Sequence, residues 1–363
     1  MLRSTTIRVW SSNDSFGFTR KSCRRSSKGG VSVGFLTAVE SGLQPHIVRC
    51  GILCSPSDPR CRHWGVDHLL PCVALVQSGK VLDHLFEGVL FEADLTCQGE
   101  MISPRSMGFG KPPTAGTWLE VVEELFRPEQ NVPALMQASQ RLPAGKQVDL
   151  WIALPYPFEN QPCFGTVRGG HLNFQTNPEH RTAAVVWWME QVVAGWRQTS
   201  LRTPSHRVVF RGFAWTRSML WPADHGVIRH VAEWVHGNQL KLMWCYHDKT
   251  EGADRAGELG FDLCLNRPLI ARDIHRIDAA AEFAEQHGHG VVLAWDSTRH
   301  SDSFADLLQI AENRIREAVQ LFELPFGLVR EWCQQAEPAY MALYQYIRGA
   351  EAQDVDPKGG ARA

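Results

Sequence analysis

The sequence predicts an α/β protein of the (β/α)8 barrel class, and two observations lead to that prediction. Short apolar runs alternate along the chain with amphipathic stretches, a pattern typical of parallel strands that are covered by helices on both faces. Seven such units are clear and an eighth is weaker, which suits a closed barrel better than an open sheet. A nucleotide-binding sheet is less favoured, because no GxGxxG follows the first apolar run and no GxxxxGK[ST] occurs.

The composition narrows the class of protein and of partner. The chain has 363 residues, of which 44% are hydrophobic and 21% are charged, with a formal net charge of −2. This length suits one large domain, and the near-neutral charge gives no reason to expect a nucleic-acid partner. No run of 18 apolar residues occurs, so no membrane span is expected. Ten cysteines without a CxxC pair fit a reducing compartment, and we therefore expect a cytoplasmic protein.

Three parts of the chain are expected to behave differently. We expect residues 1–45 to form a leader, disordered in its first 30 residues, followed by the barrel over 46–350 and a tail over 351–363. The first 30 residues contain seven Lys or Arg, seven Ser and a single acidic residue, Asp14. That composition resembles an organelle transit segment, and a disordered leader is the alternative.

Eight segments are predicted as the barrel strands. They are short runs rich in branched and aromatic residues, and glycine, proline or polar residues bound them. The third run stops at two prolines, Pro155 and Pro157, which cannot donate a backbone hydrogen bond to a sheet. The eighth strand is the least clearly marked. In chain order the predicted strands are 46–54, 84–94, 147–157, 206–215, 240–247, 260–266 and 290–296, with the eighth near 325–330.

The segments between these runs have helical spacing. The clearest helix has Asn177 as its N-cap, Pro178 in its first turn and Glu179 near the positive end of its dipole. Segment 66–77 is predicted as helical or mixed, because Pro71 must lie near the start of a helix or break it. The other helices are amphipathic. The predicted helices are 116–126, 132–142, 177–198, 224–239, 273–288 and 303–322.

The strand ends carry the side chains that a sugar-binding site needs. In barrels of this class, the working residues lie at the C-terminal ends of the strands. Aromatic rings pack on the apolar faces of sugars, and charged groups bind their hydroxyls; the alternative is that loops are polar in any protein. We expect four aromatic residues, Tyr156, Trp215, Tyr246 and Trp295, to surround one shared hollow. The expected carbohydrate-binding residues are Tyr156, Trp215, Arg217, Tyr246, His247, Asn266, Trp295 and Arg299.

Glycoside hydrolysis requires two carboxyl groups, about 5 Å apart for retention of configuration or roughly 6.5–9.5 Å apart for inversion. Asp296 is the best single candidate, because it ends a nearly continuous apolar strand. Its catalytic partner would be Asp248, Glu92 or Asp94. The alternative role of Asp296 is to cap the next helix or to pair with Arg299, and the alternative role of Glu92 or Asp94 is to anchor a loop.

A metal-dependent hydrolase is the competing enzyme hypothesis. His247, Asp248, Asp296 and His300 could converge on a divalent ion. However, the first strand lacks the His-x-His pair that barrel metal sites use, and the pair in "HGHG" (287–290) precedes the seventh strand. The cysteine spacings match no zinc or iron–sulfur pattern either. We therefore predict neither a metal nor another cofactor.

Five segments resemble an uncharacterised bacterial family that carries a domain-of-unknown-function label. They are, in order, "LWIALPYP", "HRTAAVVWW", "FRGFAW", "GFDLCLNRP" and "HGVVLAWD". The resemblance covers roughly residues 46–350. The family is regarded as a glycoside-hydrolase-like (β/α)8 barrel, which implies this fold and a carbohydrate ligand.

The same resemblance exposes a departure in the expected catalytic machinery. The family pattern implies a His-Glu pair after the fourth strand and two glutamates on the seventh, as in a retaining glycosidase. This sequence has Arg217 and Ser218 in place of the pair, and Val292 and Ala294 in place of the glutamates. Arginine cannot give up its proton near neutral pH. Two hypotheses follow, a glycosidase with displaced carboxylates and a non-catalytic barrel that binds carbohydrate.

Overall fold

A computed structural model of the chain shows a closed barrel of eight parallel strands. It describes residues 34–52, 63–96, 99–103, 111–247, 250–268, 276–296 and 303–349. Around the barrel the strands follow the order β1-β8-β7-β6-β5-β4-β3-β2, and β2 pairs again with β1. The barrel strands are β1 (His46–Ile52), β2 (Gly88–Ala93), β3 (Val148–Ala153), β4 (Val208–Trp215), β5 (Lys241–His247), β6 (Leu263–Arg267), β7 (Gly290–Ala294) and β8 (Gln320–Glu323).

Helices surround the barrel, and two small hairpins are added to it. The hairpins pair Ala74–Gln77 with Lys80–His84 and Gly165–Val167 with Gly170–Leu172. A 3-10 helix, Ala253–Leu259, lies between β5 and β6. No helix in the described ranges has both the length and the apolar character of a membrane span. The α-helices are α1 (Ala38–Ser41), α2 (Val66–Val73), α3 (Ala115–Leu125), α4 (Asn131–Ser139), α5 (Glu179–Arg202), α6 (Pro222–Gly237), α7 (Arg276–His287), α8 (Phe304–Arg314), α9 (Leu328–Gln335) and α10 (Pro338–Arg348).

The predicted fold class is therefore confirmed, and the first seven predicted strands each overlap an observed one. The position of the eighth was wrong. β8 is Gln320–Glu323 and overlaps the end of the stretch predicted as the last long helix, whereas α8 ends at Arg314. The apolar spacing of that stretch continues through the short strand, so periodicity alone could not separate the helix from the strand.

Strand side chains alternate between two buried layers. One layer fills the barrel interior, and the other lies between the sheet and the helices. On β5, for example, Met243 and Cys245 belong to the interior layer, whereas Trp244 and Tyr246 belong to the helix-facing layer. This alternation decides which side chain at each strand end faces the mouth of the barrel.

The segment that precedes β1 lies against the N-terminal end of the barrel. Leu43 belongs to the interior cluster, and Leu36 packs against it. The backbone N–H of Leu36 donates to the carbonyl of His289 at 3.3 Å, and its carbonyl accepts from Val319 N–H at 3.0 Å. Part of the predicted leader thus packs on the barrel. Residues 1–33, and the predicted tail 351–363, lie outside the described residues.

Candidate functional site

Four charged side chains and one histidine occupy the C-terminal end of the barrel interior. Each of them lies two residues after an interior core residue of its own strand, so alternation directs it to the same side of the sheet. We refer to this group as the mouth residues. They are Arg49 on β1, Glu92 on β2, His247 on β5, Arg267 on β6 and Glu323 on β8.

The first pair of mouth residues joins β1 to β2. The Nε atom of Arg49 donates to a carboxylate oxygen of Glu92, and Nη2 of Arg49 donates to Oδ2 of Asp94 at 2.6 Å. The Glu92 side chain is 1% exposed, whereas that of Asp94 is 44% exposed. A buried carboxylate of this kind requires a charged partner, and Arg49 provides it. Two of the predicted catalytic residues are thus brought together on one arginine.

The second pair joins β6 to β8 across β7. Nη2 of Arg267 donates to Oε1 of Glu323, and both side chains are nearly buried. The Nε and Nη1 atoms of Arg267 are buried and have no hydrogen-bond partner among the described residues. Buried donors normally find an acceptor, so this arginine has capacity for a ligand oxygen. Arg49 on β1 neighbours Glu323 on β8, whereas Glu92 on β2 and Glu323 lie on strands that β1 separates, roughly 10 Å apart.

A second group lies at the rim between the ends of β3 and β4. Arg217 lies over the ring of Tyr156, with Cζ 4.0 Å from the ring centroid. The ring of Trp215 meets the ring of Tyr156 edge-on, with centroids 5.8 Å apart. Three of the predicted sugar-binding residues are therefore in mutual contact. We call the depression around them the strand-four pocket; it is lined by Ser103, Leu154, Tyr156, Trp215, Thr216 and Arg217.

A buried ion pair supports Tyr156 from below. The Tyr156 hydroxyl donates to Oδ1 of Asp224 at 3.1 Å, and the same oxygen accepts from Arg181. The other oxygen of Asp224 accepts from the backbone N–H of Trp221 at 3.1 Å. Burial, and then the neighbouring carboxylate of Asp224, raises the pKa of Tyr156. The phenol therefore stays protonated and acts as a donor to Asp224.

Three other predicted binding residues point away from the mouth. Tyr246 is buried against α7, where its hydroxyl lies 2.7 Å from Nδ1 of His289. Nδ2 of Asn266 donates to the carbonyl of Ala280 at 3.0 Å. Trp295 packs on the rings of Phe304 and Trp332. The expectation that four aromatic rings surround one hollow is thus wrong. Tyr156 and Trp215 contact each other, whereas Tyr246 and Trp295 pack elsewhere, and all four rings belong to or pack against the helix-facing layer.

The remaining predicted residues are placed in part. His247 ends β5 on the interior side, and Asp296 follows β7 by two residues; both are half-buried. Asp248 and Arg299 lie outside the described residues, as does His300 of the metal hypothesis. Within the ranges that the structure describes, no group of three or more His, Cys, Asp and Glu is placed to hold a metal ion.

Sequence reasoning overlooked Arg49 and Glu323. Arg49 is a lone cation inside the apolar run of β1, and that contrast is a usable signal for a side chain that faces a partner inside the barrel. Glu323 was missed because the eighth strand was misplaced. The acid ends the run "QLFE" just before "LP", in the same way that other candidates end their strands.

A protein-family model matches most of the chain. The model for a domain of unknown function, DUF4855, matches residues 56–347. The chain belongs to this family. The DUF4855 match begins after β1 and ends within α10, so it includes every barrel strand except the first. A comparison with curated protein sequences gave no match.

Solved structures resemble the DUF4855 chain only weakly. A mutant tryptophan synthase alpha-subunit from Pyrococcus furiosus is 10% identical over 84% of this chain and 97% of its own, with a TM-score of 0.38. The spore cortex-lytic enzyme SleL from Bacillus megaterium QM B1551 is 8% identical over 83% of this chain and 75% of its own, with a TM-score of 0.40. Likeness at this level carries no argument about chemistry.

Proposed function

We propose that the chain binds a carbohydrate at the C-terminal mouth of its barrel and does not hydrolyse it through the two glutamates expected of a retaining glycosidase. One observation carries this proposal. The interior of the mouth holds two arginine–glutamate pairs, Arg49 with Glu92 and Arg267 with Glu323, in a barrel end where ligands of this fold class bind.

Arginine–carboxylate pairs suit hydroxyl groups. A sugar hydroxyl both donates and accepts, and a pair offers an acceptor and several donors side by side. Arg267 retains two donors without a partner among the described residues, and Asp94 is partly exposed beside Arg49.

The residues at the expected catalytic positions argue against hydrolysis by that route. Val292 is completely buried in the interior cluster, and Ala294 follows it on the same face of β7. On the fourth strand, Arg217 and Ser218 offer no carboxylic acid. The carboxylates of Glu92 and Glu323 are held by arginines, and an ionised carboxylate accepts hydrogen bonds but has no proton to donate.

Calorimetry against a broad panel of glycans tests the proposal. We expect wild-type protein to bind at least one glycan, and E92Q and E323Q to weaken that binding roughly tenfold, because each loses one charged hydrogen bond. E190Q is the matched control, since Glu190 pairs with Arg168 on the surface, and it should leave affinity unchanged. Absence of binding across the panel, or equal effects of all three variants, would overturn the proposal.

Hydrolysis by displaced acids is a second candidate function. It is favoured by the position of Asp296, which follows β7 at the same end of the barrel as Glu92 and Asp94. Turnover of chromogenic glycosides by the wild type, with loss of turnover in both D296N and E92Q, would support it. Binding of a glycan without any turnover would exclude it.

A further inference from the structure

We infer that the strand-four pocket is an anion subsite that receives the carboxylate of an acidic sugar, with Arg217 as its charged anchor. The anion site is argued from the pocket alone, and only the assignment of the ligand as a sugar rests on the proposed function. The inference starts from the charges that are buried around Tyr156.

The buried charges beneath the strand-four pocket do not balance. Arg181 and Asp224 neutralise each other, with side-chain exposures of 2% and 0%. Arg217 adds a second cation with only 8% exposure. Among the described residues its guanidinium contacts the Tyr156 ring but forms neither an ion pair nor a hydrogen bond. In the part of the chain that the structure describes, one positive charge is thus left without a counter-charge, and buried charges are normally paired.

Other unused groups of the pocket are hydrogen-bond donors. The indole Nε1 of Trp215 and the Oγ1 of Thr216 are buried and have no hydrogen-bond partner in the described part of the chain. An indole N–H and a guanidinium can only donate, and a hydroxyl can donate as well. The Ser103 hydroxyl already donates to the carbonyl of Leu154 at 2.8 Å. Donors without acceptors match a ligand group whose atoms only accept, which is an anion.

The charge and the narrowness of the strand-four pocket favour a small anionic substituent. The pocket holds no water-sized space, and the Arg217 guanidinium lies over the Tyr156 ring. We therefore place the sugar ring outside the pocket, with only a substituent directed at Arg217. The single uncompensated charge matches a carboxylate, which carries one negative charge and forms planar hydrogen bonds with arginine.

The test compares glucuronate with glucose, free acetate and sulfate, using calorimetry and the ligand-induced change in melting temperature on the full chain. We expect glucuronate to bind more tightly than glucose, and R217Q to weaken glucuronate binding roughly 30-fold or more while glucose binding stays unchanged. R217K should retain part of the preference because it keeps the charge. R197Q, at an exposed position of α5, is the matched control.

The melting temperature of R217Q without ligand shows whether the variant is folded, so that a loss of binding can be told apart from a loss of folding. R217Q removes a buried charge that has no ion-pair partner among the described residues, and it also removes the contact with the Tyr156 ring. Because these two effects oppose each other, we expect its melting temperature without ligand to change little. Equal affinity for glucuronate and glucose, with no effect of R217Q, would overturn the anion subsite and leave the proposed function intact. Acetate binding that depends on Arg217, without any sugar binding, would retain the subsite and overturn the sugar. Sulfate binding in preference to both carboxylates would overturn the assignment to a carboxylate.

Discussion

Arg181 and Asp224 form an ion pair that protein atoms enclose almost completely. Arg181 also donates from Nε to the carbonyl of Pro157 and from Nη1 to the carbonyl of Ala223, each at 2.8 Å. One side chain therefore joins the start of α5, the start of α6 and the segment after β3. Since Tyr156 donates to the same Asp224 oxygen, the pair also fixes the wall of the strand-four pocket.

Breaking this pair should destabilise the fold strongly. In D224N, Arg181 loses its counter-charge in a site closed to water, and we expect the free energy of unfolding to fall by about 3–5 kcal/mol. Urea unfolding measures the change. The matched variant is E190Q, which breaks the exposed pair with Arg168 and should cost about 1 kcal/mol or less. Similar losses of unfolding free energy in D224N and E190Q would contradict the prediction that the buried pair stabilises the fold more than the exposed pair does.

Gly212 should be irreplaceable where β4 bulges. A Cβ atom there would lie 1.9 Å from the carbonyl oxygen of Lys241, and φ is +154°. We expect G212A to cost about 3 kcal/mol or more, because the clash is with backbone and the conformation disfavours a side chain. Gly226 in α6 meets nothing within 4 Å, so G226A should stabilise by about 0.5–1 kcal/mol. Thermal unfolding of both variants checks the contrast, and a harmless G212A would contradict it.

Stability should fall in mild acid because two histidines are buried in the neutral form. Burial, assisted by His287, lowers the pKa of His289 from 6.5 to about 3. Burial also lowers the pKa of His84 to about 4, against the opposing charge of Glu87. Below about pH 6.5 the unfolded chain binds protons that the folded chain does not, so the free energy of unfolding decreases as pH falls toward 4, by up to about 1.4 kcal/mol per pH unit for each histidine.

Urea unfolding between pH 7 and pH 4.5 measures this slope. H289Q removes one of the two titrations, and its stability should depend less steeply on pH than that of the wild type. H171Q, which changes an exposed histidine in a hairpin, should leave the slope unchanged. A wild-type stability that is constant over this range would contradict the prediction.

The cysteines should differ sharply in reactivity. Burial, and then the neighbouring Cys72, raises the pKa of Cys50 well above its usual range, and burial raises the pKa of Cys72 to about 12. Cys163 is exposed. Because the thiolate is the nucleophile, iodoacetamide at pH 8 should modify Cys163 roughly 100-fold faster than the other two. Peptide mass spectrometry resolves the three sites, and unfolding in urea should remove the difference.

The number and order of the barrel strands could be predicted because each strand is a short apolar run between helices. Which side chain faces the mouth could not be predicted with the same certainty. In β5 both Tyr246 and its neighbour Cys245 are apolar enough to be buried, since both faces of a parallel barrel are covered. A shift of one residue exchanges the two faces. Tyr246 was therefore chosen together with His247, and Asn266 was chosen without Arg267, although His247 and Arg267 are the two that face the interior.

The ion pairs at the barrel mouth could not be predicted, because each of them joins residues that are far apart in the sequence. Arg49 and Glu92 are 43 positions apart, and Arg267 and Glu323 are 56 apart. No local pattern indicates such partners. The sequence shows Arg217 and Ser218 directly after β4, whereas the lack of a counter-charge for Arg217 among the described residues became visible only when Asp224 was found already paired with Arg181.

The short stretch before β1 has a practical consequence for anyone who shortens this protein. Leu36 and Leu43 cover the N-terminal end of the barrel interior. Both residues precede the first barrel strand and the family match. A fragment that begins at His46 would lack both leucines, and we expect water to reach the interior residues Ile47 and Leu321. Fragments that begin at or before residue 34 should retain cooperative unfolding, whereas those that begin at the first strand should not.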